Sequence, residues 1–283
     1  MSDDRRRGLF YVLCGAIAFS LGGLFVKLLP WAPISISAGR CIFSSAVIRL
    51  YTRLSHHCLV FSRTVFLGAM CVSAMLLCYV TSIKLTSAAN AIVLEYTAPI
   101  FIIVFESLFF HKKAKKLDLF VCLIVFAGIC IVVSDGLGRG NLLGDLIALA
   151  SGVFYALTIM LNDFKGSDAL SSVLFGHILT MVIGFPSILT ESDFSTGTLL
   201  LLAALGIFQA GMGYSLLTAG LRLCDPLSGS LIASIEPVLN PILVALFYHE
   251  YMSVRAMIGA ALVILTIAFY NIVSMKQNKG GPQ

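Results

Sequence analysis

From Leu117 to Ser134 the chain runs through 18 residues with one charged side chain, Asp118. Few surroundings suit a stretch of that length and polarity. An α-helix rises about 1.5 Å per residue, so roughly 20 apolar residues cross the ~30 Å of hydrocarbon in a bilayer. Comparable stretches recur along the chain: Gly8–Leu29, Ile34–Tyr51, Thr64–Ile83, Ala88–Phe110, Leu117–Ser134, Leu143–Leu161, Ala169–Leu189, Thr196–Leu217, Pro226–Tyr248 and Val254–Val273. A bilayer offers no water to unpaired backbone groups, and helices pair them internally. The reading is an all-α integral membrane protein of ten transmembrane helices. With 59% hydrophobic and 12% charged residues, the composition fits no ordinary soluble domain, where about 25% are charged.

The halves resemble each other. Ile83–His111 and Leu221–His249 align without gaps at an offset of 138, returning Leu85, Pro99, Leu108 and Phe109 as Leu223, Pro237, Leu246 and Phe247. Gly8, Leu13 and Phe19 return as Gly144, Leu149 and Tyr155 at an offset of 136. The repeat therefore takes in five helices, in residues 1–137 and 138–283, with a polar, glycine-rich segment around Asp135–Asn141 at the join. An odd number of spans turns the second half upside down, an inverted five-plus-five repeat of the kind from which secondary transporters are built.

Orientation follows from Lys and Arg, which accumulate in cytoplasmic loops. With the N-terminus inside, 14 fall on the inner side: Arg5, Arg6, Arg7, Arg49, Arg53, Arg63, Lys112, Lys113, Lys115, Lys116, Lys165, Arg222, Lys276 and Lys279. Only Lys84, Arg139 and Arg255 fall outside. Both termini are expected in the cytoplasm of a cell that carries the chain in its plasma or inner membrane. The first apolar run is too long for a signal peptide's core and lacks a small-residue cleavage site, so it reads as a mature span.

These features resemble the EamA family of the drug/metabolite transporter superfamily. The resemblance rests on the two five-helix halves, the prolines of the fourth and ninth helices, the Glu236-Pro237 pair, the arginine near the start of the second helix, and Glu250 closing the ninth. The family often closes that helix with Leu-Gly-Glu, where this chain has Tyr248, His249 and Glu250; the first-half equivalent of Glu250 is Lys112. The resemblance implies a monomeric or homodimeric carrier of a small polar or amphipathic metabolite, an amino acid or related amine, through a central cavity lined by both halves. A drug or cation exporter of the same superfamily is the neighbouring alternative.

Bilayer physics points to the same cavity. A charged side chain at mid-depth costs roughly 2.5 to 3.5 kcal/mol or more, so Glu95, Glu236 and Arg40 should face protein or water and have a partner or a task. Glu95 is expected to bind a substrate ammonium or to carry a coupled proton. Arg40 then holds a substrate carboxylate or neutralises one of the acids. The bland counterpart is a buried Arg-Glu pair that locks the bundle. Tyr96, Tyr79, Phe19, Tyr155, Gln209 and Tyr214 would complete a polar, cation-stacking wall. His177, at the position in the seventh helix that matches Arg40, is a proton-relay candidate or a core histidine. Pro99, Pro237 and Pro241 read as helix-interior prolines, hence hinges or fixed bends. Lys27 and Glu106 lie close enough to helix ends to reach the interface.

Enzymatic function is not expected, since no phosphate-binding glycine loop, HExxH or GxSxG motif is present. The 8 cysteines contain no CxxC pair and mostly sit in apolar runs, so neither a disulfide framework nor a metal site is read. No cofactor and no nucleic-acid partner is expected; the net charge of +5 comes from residues at helix ends. A non-translocating receptor or scaffold is the reading from another class, which would call for a larger loop or tail than the short MKQNKGGPQ.

Overall fold

The computed structural model describes residues 3–109, 116–137, 141–224, 229 and 232–279, and the regular elements among them are helices. The expectations placed on His111, Lys112, Lys113, Lys115, Arg139 and Pro226, and on the side chains of Lys276 and Lys279, lie outside what is described.

The first half comprises α1 (Asp3–Ser20), α2 (Gly22–Leu28), α3 (Pro33–Leu54), α4 (Arg63–Leu85), α5 (Ala88–Glu95), α6 (Ala98–Phe109) and α7 (Lys116–Leu137). The second comprises α8 (Leu142–Leu161), α9 (Ala169–Ile188), α10 (Thr196–Ala204), a π-helical segment (Leu205–Met212), α11 (Gly213–Leu221), α12 (Glu236–Tyr248) and α13 (Val254–Lys279). Side-chain caps set several starts. Ser62, Ser87, Asp168 and Ser195 each accept the N–H three residues on, at the heads of α4, α5, α9 and α10.

Among the described residues, seven helical stretches are long and apolar enough to cross a bilayer: Asp3–Leu28, Arg63–Leu85, Ala88–Leu108, Lys116–Ser134, Leu142–Leu161, Ala169–Ile188 and Thr196–Leu221. The other three regions expected to span are α3, which carries Arg40, Arg49 and Arg53, and the shorter apolar helices Glu236–Tyr248 and Val254–Tyr270. Outward-facing Leu123, Phe126, Leu200 and Leu265 are each more than 60% exposed, a perimeter suited to hydrocarbon rather than water.

Beyond a one-residue break at Leu21 in the first, three expected helices are interrupted. The fourth stops at Glu95 and restarts at Ala98 after a turn at Tyr96 and Thr97. In the second half a turn at Ser234 and Ile235 precedes α12, which starts at Glu236. The restarts at 98 and 236 differ by 138 residues, the same offset that aligns the sequences. The expectation of proline inside these helices is corrected: Pro99 and Pro237 each follow the first residue of a new helix, where a missing N–H has no intrahelical partner to lose. Pro241 does lie inside α12, and Pro186 inside α9. The third interruption is the π-helical segment, whose wider turns carry Gln209.

Packing exchanges the halves. α4 packs on α8 and α9, while in the second half α11 packs on α1 and the π segment on α3. α3 with α9 and α7 with α13 each join an element to its own counterpart, and α5 packs across the halves on α12. Where α7 meets α13, a Cβ on Gly128 would stand 3.0 Å from the Gly259 carbonyl oxygen, and one on Gly259 2.9 Å from that of Gly128. Only glycine lets these backbones approach so closely. Ile36, Val80, Ile83, Ile92 and Leu94 form the dry centre beside the interrupted helices.

Candidate functional site

A partly open cavity of about 110 Å³ lies among α1, α3, α4, the interrupted fourth helix, α8, the π segment, α11 and α12. Phe19, Arg40, Tyr79, Glu95, Tyr96, Tyr155, Gln209, Tyr214 and Glu236 line it, nine of the ten residues singled out as substrate contacts. Met75, Leu76, Ala16, Ala210, Leu217 and Ala233 fill in the apolar part of the wall. Pairs related by the repeat face each other here. Phe19 and Tyr155 are 136 residues apart, while Tyr79 with Leu217, and Glu95 with Ala233, are 138 apart.

The interruptions place the acids. Glu95 is the last residue of α5 and Glu236 the first of α12, so both carboxyls emerge where the backbone leaves helical pairing. The Tyr96 hydroxyl donates to Glu236 Oε2 at 2.7 Å, joining the break in one half to the break in the other. Glu95 is 8% exposed and has no hydrogen bond to a described residue.

Arg40 is 1% exposed and carries one hydrogen bond, from Nη1 to Gln209 Oε1 at 3.4 Å; its Nε and Nη2 have no partner. Among the described residues no ion pair joins Arg40 to Glu95 or Glu236, so the locking Arg-Glu pair does not form. The π segment explains how Gln209 reaches the arginine. A Cβ on Gly206 would lie 2.5 Å from the Arg40 carbonyl oxygen, so glycine lets this segment press against α3. The tyrosines add a ring wall: Phe19 meets Tyr214 edge-on with centroids 4.9 Å apart, and Tyr79 Oη is without a partner.

His177 does not line the cavity. It stands behind the wall at 0% exposure, its ring edge-on to Tyr214 at 5.4 Å and its Nδ1 bonded to Ser44 Oγ of α3. Register with Arg40 brought it to the α3–α9 contact but one side chain too far back.

Two features escaped the sequence. Asp145, buried in the first turn of α8, accepts from the Thr86 hydroxyl at 2.6 Å and from the Asn90 amide at 3.4 Å. Lys27, expected to reach the interface, instead pairs with Glu250 at 2.7 Å and donates to the Thr86 carbonyl at 2.9 Å, while Glu250 also accepts the Ala88 N–H. Asp145 with Thr86 and Asn90, and Glu250 with Lys27 and Ala88, pair across the halves, a relation that local spacing does not express. Among the described residues no group of His, Cys, Asp and Glu is arranged to hold a metal ion.

Residues 6–134 and 142–272 each match the sequence pattern of the EamA-like transporter family. The chain belongs to that family. Solute carrier family 35 member G1 of Homo sapiens is 28% identical over 202 residues, covering 62% of this chain and 53% of the relative. An uncharacterized transporter of Clostridium kluyveri is 24% identical over 228 residues, covering 75% and 71%. The chain thus spans about half the length of the human relative and of its mouse counterpart. A solved crystal structure superposes with a TM-score of 0.65 at 19% identity over 95% of this chain and 98% of that one, a likeness of fold alone. As a member of that family, the chain is a multi-pass membrane protein, and the family is one of transporters rather than of enzymes.

Proposed function

We propose that this EamA-like protein is a secondary carrier that moves a small polar or amphipathic metabolite, an amino acid or related amine, by alternating access. The observation that carries the reading is a cavity walled by both halves, with Glu95 and Glu236 at helix interruptions in each half and Arg40 in the same wall. Interrupted helices at mid-depth leave polar groups for a substrate without exposing backbone to lipid. In this reading Glu95 takes the ammonium or a coupled proton, Arg40 takes a carboxylate with its unpartnered nitrogens, and the aromatic rings close over the apolar part.

The reading includes ten spans in two inverted repeats, residues 1–137 and 138–283, with both termini cytoplasmic in the cell membrane. The exchanged packing of the halves supports the two-fold relation. Orientation is supported by Arg49, Arg53, Arg63, Lys165 and Arg222, which sit at helix ends or connecting loops on the His57–Asp168 end of the bundle, opposite Lys27 and Lys84. As His57–Asp168, the Val60 N–H to Ser171 Oγ and Ser62 Oγ to the Gly166 carbonyl do at the opposite end, Lys27–Glu250, Trp31 Nε1 to the Asp193 carbonyl and the Ala32 N–H to Glu191 all cross between halves at the Lys27 end. The carrier opens at either end when the ties there part.

Purified protein in proteoliposomes preloaded with unlabelled amino acids and amines tests this by counterflow of the labelled compounds. A carrier accumulates label transiently and Glu95→Gln suppresses it; no counterflow with any compound overturns the reading.

A further inference from the structure

Away from the central cavity, a groove of about 880 Å³ runs between the first turns of α4 and the middle of α9. Its walls include Val65, Phe66 and Ala69 on one side and Phe175, Ile178 and Val182 on the other. Polar side chains enter it only at one end, from Ser62 and Arg63. Phe66 and Val182 are 63% and 61% exposed, so the groove opens on the perimeter of the bundle where hydrocarbon lies.

That polar end runs into a second depression. Phe61, 82% exposed and resting on Phe175 with ring centroids 4.9 Å apart, belongs to both. The second depression, about 630 Å³, is lined by Arg49, Arg53, His56 and His57 with no carboxylate in its wall. Arg49, Arg53 and Arg63 are exposed, and no ion pair is formed by any of the three among the described residues. The acid that heads the neighbouring α9 is already committed. Asp168 heads α9 with His57 on both carboxylate oxygens, at 3.0 and 3.1 Å, and with the Ser171 N–H and hydroxyl. Arg222 adds a further cation, donating from Nη2 to His57 Nδ1 at 3.4 Å.

We propose that this continuous feature holds one anionic phospholipid, an acyl chain lying in the α4–α9 groove and its phosphate against Arg49, Arg53 and Arg63. Apolar groove and unpaired cations meet at Phe61 in the order in which a lipid presents its chain and its head. A zwitterionic lipid fits the groove but offers the arginines less net charge. An acidic peptide fits the arginines but has no use for a slot open to hydrocarbon. The proposal is independent of the transport reading; the orientation given above decides only that the leaflet is cytoplasmic. Each arginine near an anionic surface is worth about fivefold in affinity.

Native mass spectrometry and thermal-shift titration of the full chain in detergent test it with phosphatidylglycerol, phosphatidylcholine and inorganic phosphate. Phosphatidylglycerol is expected to bind at least tenfold more tightly than phosphatidylcholine. Arg49→Gln with Arg53→Gln and Arg63→Gln should remove that preference, all three being surface positions. Val182→Trp should fill the groove and weaken phosphatidylglycerol while leaving the arginines in place. Equal binding of the two lipids, or a preference unchanged in the triple variant, overturns the proposal. If inorganic phosphate alone stabilises wild type and Val182→Trp equally, and phosphatidylglycerol adds nothing, the feature is a free-anion site and the lipid assignment fails.

Discussion

The phenol of Tyr96 donates to Glu236 across the cavity at 2.7 Å, so the break in the fourth helix is tied to the break before α12 rather than to its own half. A hydrogen bond to a carboxyl is worth about 1.5 to 3 kcal/mol when the carboxyl is ionised. Tyr96→Phe removes that tie with almost no change in volume. The variant is expected to purify as folded protein and to lose at least tenfold in counterflow rate; wild-type counterflow would detach the bond from transport.

Arg40 and Glu95 share a cavity wall without forming an ion pair. Without a direct bond, but with opposite charges facing one cavity, Arg40→Met and Glu95→Met should couple by no more than about 1 kcal/mol, the double variant remaining less stable than either single one. Thermal unfolding in detergent of the four proteins measures this. A double variant more stable than either single one would reveal a direct pair.

Gly206 and Gly197 make a matched test of close packing. At Gly206 a Cβ meets the Arg40 carbonyl oxygen at 2.5 Å, whereas at Gly197 nothing lies within 4 Å. Gly206→Ala should cost about 1 to 3 kcal/mol and disturb the Gln209–Arg40 contact. Gly197→Ala, in an open helical position, should be neutral or stabilise by up to about 1 kcal/mol. Melting temperatures of the two variants decide it.

Lys27 and Glu250 are only partly exposed, with side-chain accessibilities of 11% and 23%. Lys27→Met or Glu250→Gln leaves the other charge in place without its partner, which weakens the ties at that end. In a background lacking the native cysteines, a cysteine at Ala233 in the cavity wall should react several-fold faster with a membrane-impermeant thiol reagent applied from the Lys27 side. An unchanged rate would show that this pair does not hold the end shut.

Asp168 is an outlying carboxyl whose titration has a definite sign. Burial alone would raise its pKa, but hydrogen bonds from Ser171 and His57 outweigh burial and hold it below the usual carboxylate range. Its stabilising effect is therefore present above that range and fades as pH falls through the lowered value. Asp168→Ala should lower stability by about 1 kcal/mol near neutrality through loss of the cap, and the gap to wild type should narrow in acid. Paired melts across pH check both statements.

The helical stretches and their recurrence were legible because bilayer length and the 138-residue offset are properties of the linear chain. Glu95, Glu236 and Arg40 stood out because a charge amid apolar neighbours needs accommodation. The interruptions were less legible, although a signal was present. Pro99 and Pro237 announce the first turn of a helix as readily as a bend within one, and the structure takes the first option. Around Gln209 a local signal was present but undecided, since Gly206, Gly211 and Gly213 permit either close helix packing or local unwinding; the π turn at Leu205–Met212 lies there. Lys27 and Glu250 looked like separate helix-end charges because their pairing depends on how two halves dock.

The cavity wall carries one guanidinium, on Arg40, and two carboxyls, on Glu95 and Glu236. With all three ionised it holds one surplus negative charge, in surroundings too dry for counterions to cancel it cheaply. An occupant bearing a single positive charge, or a single bound proton, brings the chamber to electroneutrality; an anion doubles the imbalance. For the proposed carrier this predicts selection by sign before selection by shape.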